Sequence, residues 1–96
     1  MLNLKLSPQA IIDIEDIYEF TFITWGIKQA EKYQDELYEG MLLISEKSEI
    51  GSVYYFKKGN YRKLLINRHL IFYSTIINDC IIIRILHERM DLDAVL

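Results

Sequence analysis

Apolar and polar residues alternate at the start of the chain, where every second position is apolar at Leu2, Leu4 and Leu6. This period of two predicts a short β-strand with one buried face. Ser7 and Pro8 follow the strand. A helix is expected to begin there, because Ser can cap free backbone N–H groups and Pro at the first helical position loses no hydrogen bond.

After Pro8 the apolar spacing changes to three and four residues, which predicts an amphipathic helix that ends at Gly26. Its predicted apolar stripe consists of Ile11, Ile14, Tyr18 and Trp25, widened by Ile17. We expect Trp25 to lie in the core.

A second helical pattern starts at Ile27, and the short break between the patterns predicts an antiparallel helical hairpin. Its predicted core positions are Ala30, Tyr33, Leu37, Met41 and Ile44. Gly40 lies inside this pattern and lowers the stability of the helix by about 1 kcal/mol relative to Ala. Either a packing contact requires Gly40 or the helix bends there, and the sequence leaves both explanations open.

Three runs rich in β-forming residues follow a polar connection, at positions 61–66, 70–77 and 81–87. The short turns between them predict an antiparallel meander. In the last run, strand parity predicts that Ile81, Ile83 and Ile85 face the helices. The chain is therefore expected to be a single α+β domain over residues 1–96, ordered β-α-α-β-β-β, with the helical hairpin packed on a mostly antiparallel sheet.

Composition excludes several classes of protein. Hydrophobic residues make up 51% of the chain, enough for a core, but no apolar run approaches the roughly 20 residues of a membrane-spanning helix. The first residues lack the basic leader of a signal peptide, so we expect a cytoplasmic protein that does not act at a membrane. Cys80, His69 and His87 have no zinc-site spacing, so neither a metal nor another cofactor is expected, and Cys80 is interpreted as a buried structural residue.

Charge is unevenly distributed along the chain. Residues 1–50 carry a net charge of -6, whereas residues 51–96 carry +3. Five basic residues fall within twelve positions that contain no acid; they are Lys57, Lys58, Arg62, Lys63 and Arg68. This stretch predicts a positive patch for phosphates or for an acidic protein surface. Aromatic residues at positions 54–56 and 61 flank it and are candidates for an interface or for core packing.

Several motifs resemble those of the RelE/ParE toxin superfamily, and of its ParE branch in particular. The C-terminal motifs are YRKL (61–64), HLIFY (69–73) and IRILHERMD (83–91), and the N-terminal ones are LSPQA (6–10), DIY (16–18), WG (25–26) and AEKY (30–33). The resemblance covers nearly the whole chain. Together the three C-terminal motifs are the specific part of the match.

The resemblance implies the toxin of a type II toxin-antitoxin system that traps DNA gyrase with cleaved DNA or blocks supercoiling. A cognate antitoxin would silence it by wrapping the toxin, adding to its sheet or packing along its hydrophobic grooves. The expected partners are thus the antitoxin and DNA gyrase, without direct sequence-specific binding of nucleic acid. RelE relatives share the fold but cut mRNA in the ribosomal A site, so a ribosome-dependent endoribonuclease is the alternative, and an inactive family member is a third hypothesis.

The nuclease alternative has a candidate catalytic set. Arg62 and Arg84 would clamp a phosphate and His87 would act as a general acid. However, RelE nucleases carry a dense basic cluster and often a catalytic Tyr near the C-terminus, whereas the residues after His87 include no Tyr and are acidic. The sequence therefore favours a gyrase inhibitor acting by binding, with no firm catalytic residue. The candidate target-binding residues are Lys57, Lys58, Arg62, Lys63, Arg68, Arg84 and Arg89.

Each of these candidates also has a structural explanation. Arg62 and Arg84 would pair with carboxylates and shield the sheet, an explanation that we weigh equally with binding. For His87 and His69 we favour the structural explanation, a half-buried and hydrogen-bonded ring.

Overall fold

Two helices cover one face of a five-stranded sheet in the computed structural model, which describes residues 1–56 and 59–90. The elements are β1 (Asn3–Leu6), α1 (Pro8–Trp25), α2 (Ile27–Glu46), β2 (Ser52–Phe56), β3 (Gly59–Ile66), β4 (His69–Ile76) and β5 (Asp79–His87), with a 3-10 turn at Ser48–Ile50. The predicted α+β class is confirmed. Strand β2 was not predicted, because its aromatic residues were interpreted as part of an interface or of the core and not as a strand.

The strand order across the sheet is β1-β5-β4-β3-β2. Strands β2 to β5 form an antiparallel meander, whereas β1 pairs with β5 in parallel, with Leu4 opposite Cys80. The connection between these parallel neighbours consists of the helical hairpin and strands β2 to β4, in keeping with the long crossover that a parallel pair needs. The sheet is therefore mixed and mostly antiparallel, as predicted.

The ends of α1 are set by the residues that the sequence indicated. Ser7 Oγ accepts a hydrogen bond from the Ala10 N–H at 3.0 Å, which caps the helix start next to Pro8. At the other end Gly26 has a φ of 94°, a conformation that a residue without a Cβ adopts without strain. Neither α1 nor α2, the two helices of the described part of the chain, is apolar enough along its length to cross a membrane.

The core lies between the hairpin and the sheet. All five predicted core residues of α2 are buried, and Leu2, Leu4 and Leu6 pack against the same cluster. Gly40 is explained by packing, because a Cβ there would lie 2.9 Å from Cγ1 of Ile66. Cys80 is fully buried, as expected, and burial raises the pKa of its thiol.

Two predictions for α1 are wrong. Trp25 is 72% exposed rather than in the core, and Ile11 is 46% exposed. The inward-facing residues are Ala10, Asp13, Ile14, Ile17 and Thr21. This stripe is helical in period and keeps the predicted Ile14 and Ile17, but its other members include the polar residues Asp13 and Thr21, which apolar periodicity does not mark.

The predicted facing of β5 is wrong for Ile81 and Ile83 and correct for Ile85. Residues Ile82 and Ile85 belong to the core, whereas Ile81 and Ile83 do not. A β-bulge is the reason: Phe72 pairs with Arg84 but Tyr73 pairs with Ile82, which leaves Ile83 as an extra residue. An extra residue inverts strand parity on one side of the bulge.

Candidate functional site

Arg62 lies on the face of the sheet that bears the helices, because it pairs with the core residue Tyr73 on β4. Its Nη1 donates to the carbonyl of Gly51 at 2.7 Å and to that of Glu49 at 3.3 Å. The guanidinium therefore ties β3 to the chain segment that leads into β2. It also borders a shallow cavity of about 290 Å³.

Lys63 and Arg84 lie on the opposite face. Both are in register with Phe72, which separates them on the intervening strand. The Lys63 ammonium lies 5.0 Å from the centroid of the Tyr54 ring, and this ring contacts Phe72 edge-on at 5.4 Å. The Lys63 ammonium thus lies over one ring of an aromatic pair, which is a favourable cation-π arrangement.

Arg84 reaches around the edge of the sheet to α1. Its Nε donates to Oδ2 of Asp13 at 2.9 Å and its Nη2 to Oδ1 at 3.0 Å. The same carboxylate accepts the backbone N–H of Ile85 at 2.9 Å. Asp13 therefore accepts a backbone N–H at the edge of β5. The hydrogen bond between Asp13 and Arg84 also raises the pKa of the Arg84 guanidinium.

The remaining described basic candidates lie at the ends of β3, β4 and β5. Arg68 is in the turn between β3 and β4 and forms an exposed ion pair with Glu88 at 3.1 Å. Arg89 is exposed in the turn after β5. Lys57 and Lys58 lie outside the described residues.

The nuclease candidates do not converge on one point. Ile66, His69 and His87 are in register across three strands, and Arg62 is four residues from Ile66, about 13 Å along the strand. Arg62 and Arg84 lie on opposite faces of the sheet. Arg62 is therefore distant from His87, and the third candidate, Arg84, is held by Asp13.

His87 has a different neighbour, His69, which is the residue opposite on β4. The two imidazole rings meet edge to face with centroids 5.3 Å apart. His69 Nδ1 is also hydrogen-bonded to the hydroxyl of Tyr33 on α2, and this hydroxyl donates to the carbonyl of Ile66 at 3.2 Å. Burial and the proximity of His87 lower the pKa of His69 to about 4, so this ring is neutral at pH 7.

These histidines line a groove of about 640 Å³ at the end of the hairpin. The other lining residues are Phe20, Thr21, Trp25, Gln29, Lys32, Tyr33, Glu36, Asn67 and Arg68. The groove was not predicted, because Trp25 was expected in the core. Asp13 was also not predicted as a partner of Arg84, although an acid between Ala10 and Ile14 on a helix was a usable signal. Within the described ranges no three His, Cys, Asp or Glu side chains are grouped closely enough to hold a metal.

The resemblance to known proteins extends over nearly the whole chain. A family model described as the ParE toxin of the type II toxin-antitoxin system parDE matches residues 4–92. The chain belongs to the ParE toxin family. The match spans both helices and strands β2 to β5, so it includes the histidine groove and the Asp13–Arg84 pair.

Relatives of this ParE family member support the assignment. Toxin ParE1 of Mycobacterium tuberculosis (strain CDC 1551 / Oshkosh) is 36% identical over 89 residues, which cover 92% of this chain and 91% of that protein. Toxin ParE1 of Caulobacter vibrioides is 32% identical over 87 residues, covering 91% and 90%. A solved chain described as the chromosomal ParDE TA system from P. aeruginosa has a TM-score of 0.78 at 19% identity, over 91% of this chain and 96% of that one. At this identity the structural likeness concerns the fold.

Proposed function

We propose that this ParE family chain inhibits or poisons DNA gyrase in the cytoplasm and that a cognate antitoxin neutralises it. The observation that carries the proposal is the family match over residues 4–92. The activity on gyrase follows from the resemblance to the ParE branch, and the local geometry supports a mechanism based on binding.

The arrangement of the arginines supports binding over catalysis. The candidate nuclease mechanism requires Arg62, Arg84 and His87 to meet around one phosphate, which two cations stabilise and one group protonates. In this chain Arg62 donates to two backbone carbonyls, and Arg84 is held by both oxygens of Asp13. Each arginine therefore has a structural partner, and the two lie on opposite faces.

Strand β2 is the surface that we assign to the antitoxin. It is an edge strand of the sheet, next to β3. Val53 and Tyr55 on this strand are 47% and 75% exposed. An edge strand offers backbone groups to an added strand, and exposed apolar side chains add buried area on association. The isolated chain is accordingly expected to be poorly soluble and to bind dyes that report exposed apolar surface.

The decisive experiment is a supercoiling and cleavage assay of DNA gyrase with the purified chain, with and without its antitoxin. We expect loss of supercoiling or accumulation of cleaved DNA, reversed by the antitoxin. Arg89→Ala and Lys63→Ala should weaken the effect, whereas Lys28→Ala, which removes an exposed charge on α2, should not. No effect of a large excess of folded protein on gyrase would refute the proposal.

Expression of the chain in bacterial cells distinguishes this function from ribosome-dependent mRNA cleavage. Under the proposed function, growth arrest is accompanied by DNA breaks and intact mRNA, and His87→Gln leaves it unchanged. Cleaved mRNA together with loss of toxicity in His87→Gln would instead establish the nuclease.

A further inference from the structure

The groove at the end of the hairpin combines an apolar wall, a polar floor and a charged rim that includes Lys32, Glu36 and Arg68. It lies between the C-terminal end of α1, the N-terminal half of α2 and the turn that joins β3 to β4. Its volume of about 640 Å³ is within the range of pockets that hold small organic ligands. Its chemistry therefore indicates which ligand class it fits.

His69 supplies a hydrogen-bond acceptor to the floor. Tyr33 has one hydroxyl proton, and the carbonyl of Ile66 can only accept. Both hydrogen bonds of the Tyr33 hydroxyl exist together only if His69 Nδ1–H donates to the Tyr33 oxygen. In the neutral ring Nε2 then carries a lone pair.

His87 has the opposite tautomer. Its Nδ1 accepts the backbone N–H of Arg89 at 3.1 Å, so the neutral ring carries its proton on Nε2. Within the described residues neither Nε2 atom has a protein partner, and no buried side-chain nitrogen or oxygen lacks one. Both Nε2 atoms are thus accessible to solvent, one as an acceptor and one as a donor.

The wall of the groove is formed by Phe20 and Trp25, which are 68% and 72% exposed. Large aromatic rings with this exposure are surfaces on which a flat heterocycle stacks. Lys32 and Arg68 line the same groove with their positive charges, and Arg68 also forms the exposed ion pair with Glu88. The carboxylate of Glu36 accepts the side-chain amide of Asn67, so its charge is partly satisfied within the rim.

We propose that this groove binds a purine nucleotide, free or unstacked from a single strand. The base stacks on Trp25 and Phe20. Its edge, which presents a donor beside an acceptor, is recognised by His69 and His87. The phosphate lies near Lys32 and Arg68. This proposal is independent of the action on gyrase, because it rests on residues of the groove alone.

Trp25 provides the measurement, since it is the only tryptophan of the chain. The folded protein at neutral pH is titrated with AMP, GMP, CMP, adenosine and inorganic phosphate while Trp fluorescence is followed. We expect saturable quenching by the purine nucleotides at micromolar to millimolar concentration, weaker binding of adenosine and CMP, and no quenching by phosphate. Absence of quenching by AMP and GMP, or equal binding of CMP, would refute the proposal.

Variants locate the site. His87→Ala should weaken binding about tenfold, and His87→Gln, which keeps an N–H donor, should restore part of it. Trp25→Ala, followed by calorimetry, should lose tenfold or more, whereas Ile23→Ala should bind normally. Ile23 is a matched control because it is 73% exposed on the same helix but does not line the groove. Equal losses in Ile23→Ala and Trp25→Ala would show nonspecific adsorption and overturn the assignment.

Ligands of different length distinguish a free nucleotide from a nucleotide within a single strand. Adenine trinucleotides of RNA and DNA are compared with AMP and with a blunt duplex. Tighter binding of a trinucleotide supports a single strand, and equal binding supports a free nucleotide. Equal or tighter binding of the duplex would contradict the groove geometry, because stacked bases cannot reach Trp25.

Discussion

Asp13 on α1 and Arg84 on β5 form a two-point ion pair, with Oδ2 to Nε at 2.9 Å and Oδ1 to Nη2 at 3.0 Å. Their side chains are 10% and 22% exposed. Asp13 also accepts the backbone N–H of Ile85, so one carboxylate joins the helix to the edge of the sheet beside the β-bulge. This contact fixes how α1 lies against β5.

Asp13→Ala is expected to lower the free energy of unfolding by about 3 kcal/mol, because it removes two charged hydrogen bonds to Arg84 and the acceptor of the buried Ile85 N–H. Urea denaturation of the purified variant measures the loss. Asp16→Ala on the same helix is the control, since Asp16 is exposed and its removal should change stability by less than about 0.5 kcal/mol. Similar values for the two variants would show that the pair is not stabilising.

Stability should depend on pH through His69. Its folded pKa of about 4 lies below the ordinary value of 6.5, so the unfolded chain binds the proton more readily. The stabilisation is fully present above pH 6.5 and is lost as pH falls toward 4. After allowance for solvent screening of this half-buried ring, the loss is about 1 kcal/mol. In His69→Asn this part of the pH dependence should disappear. If the free energy of unfolding of this variant changes between pH 6.5 and pH 4 as much as that of the parent, His69 is not its cause.

Tyr73→Phe tests the network that holds the 3-10 turn. Tyr73 Oη accepts the N–H of Gly51 at 2.9 Å and donates to the carbonyl of Ser48 at 2.6 Å. Removal of the hydroxyl leaves both groups unpaired and is expected to cost about 2 kcal/mol in thermal or urea unfolding. Tyr55→Phe, on an exposed ring, should be close to neutral. If both variants unfold like the parent, the network contributes no stability.

Ile77→Asn should stabilise the protein. Ile77 has a φ of 56° and is 90% exposed, so a β-branched residue adopts a left-handed conformation without gaining burial. Asn tolerates this conformation and occupies the equivalent turn at Asn67, with a φ of 54°. The expected gain is about 1 kcal/mol. Ile76→Asn, which alters a neighbouring residue with ordinary backbone, should bring no gain in the same melting experiment.

Local signals in the sequence were sufficient for most elements of this fold. The Ser7–Pro8 boundary, the break at Gly26 and the buried positions of α2 were all predicted, because capping and helical periodicity act over a few neighbouring residues. The motifs of the last three strands were also sufficient to indicate the ParE family, which the family match over residues 4–92 confirms.

Contacts between distant parts of the chain account for what the sequence did not predict. The bulge at Ile83 reverses the facing of β5 on one side of it, and nothing local marks it, since both alternating sets of residues there contain large apolar side chains. Asp13 and Arg84 are 71 positions apart, and Tyr33 and His69 are 36 apart. Such pairs become neighbours when the hairpin docks on the sheet, and the same docking leaves Trp25 exposed beside the histidines.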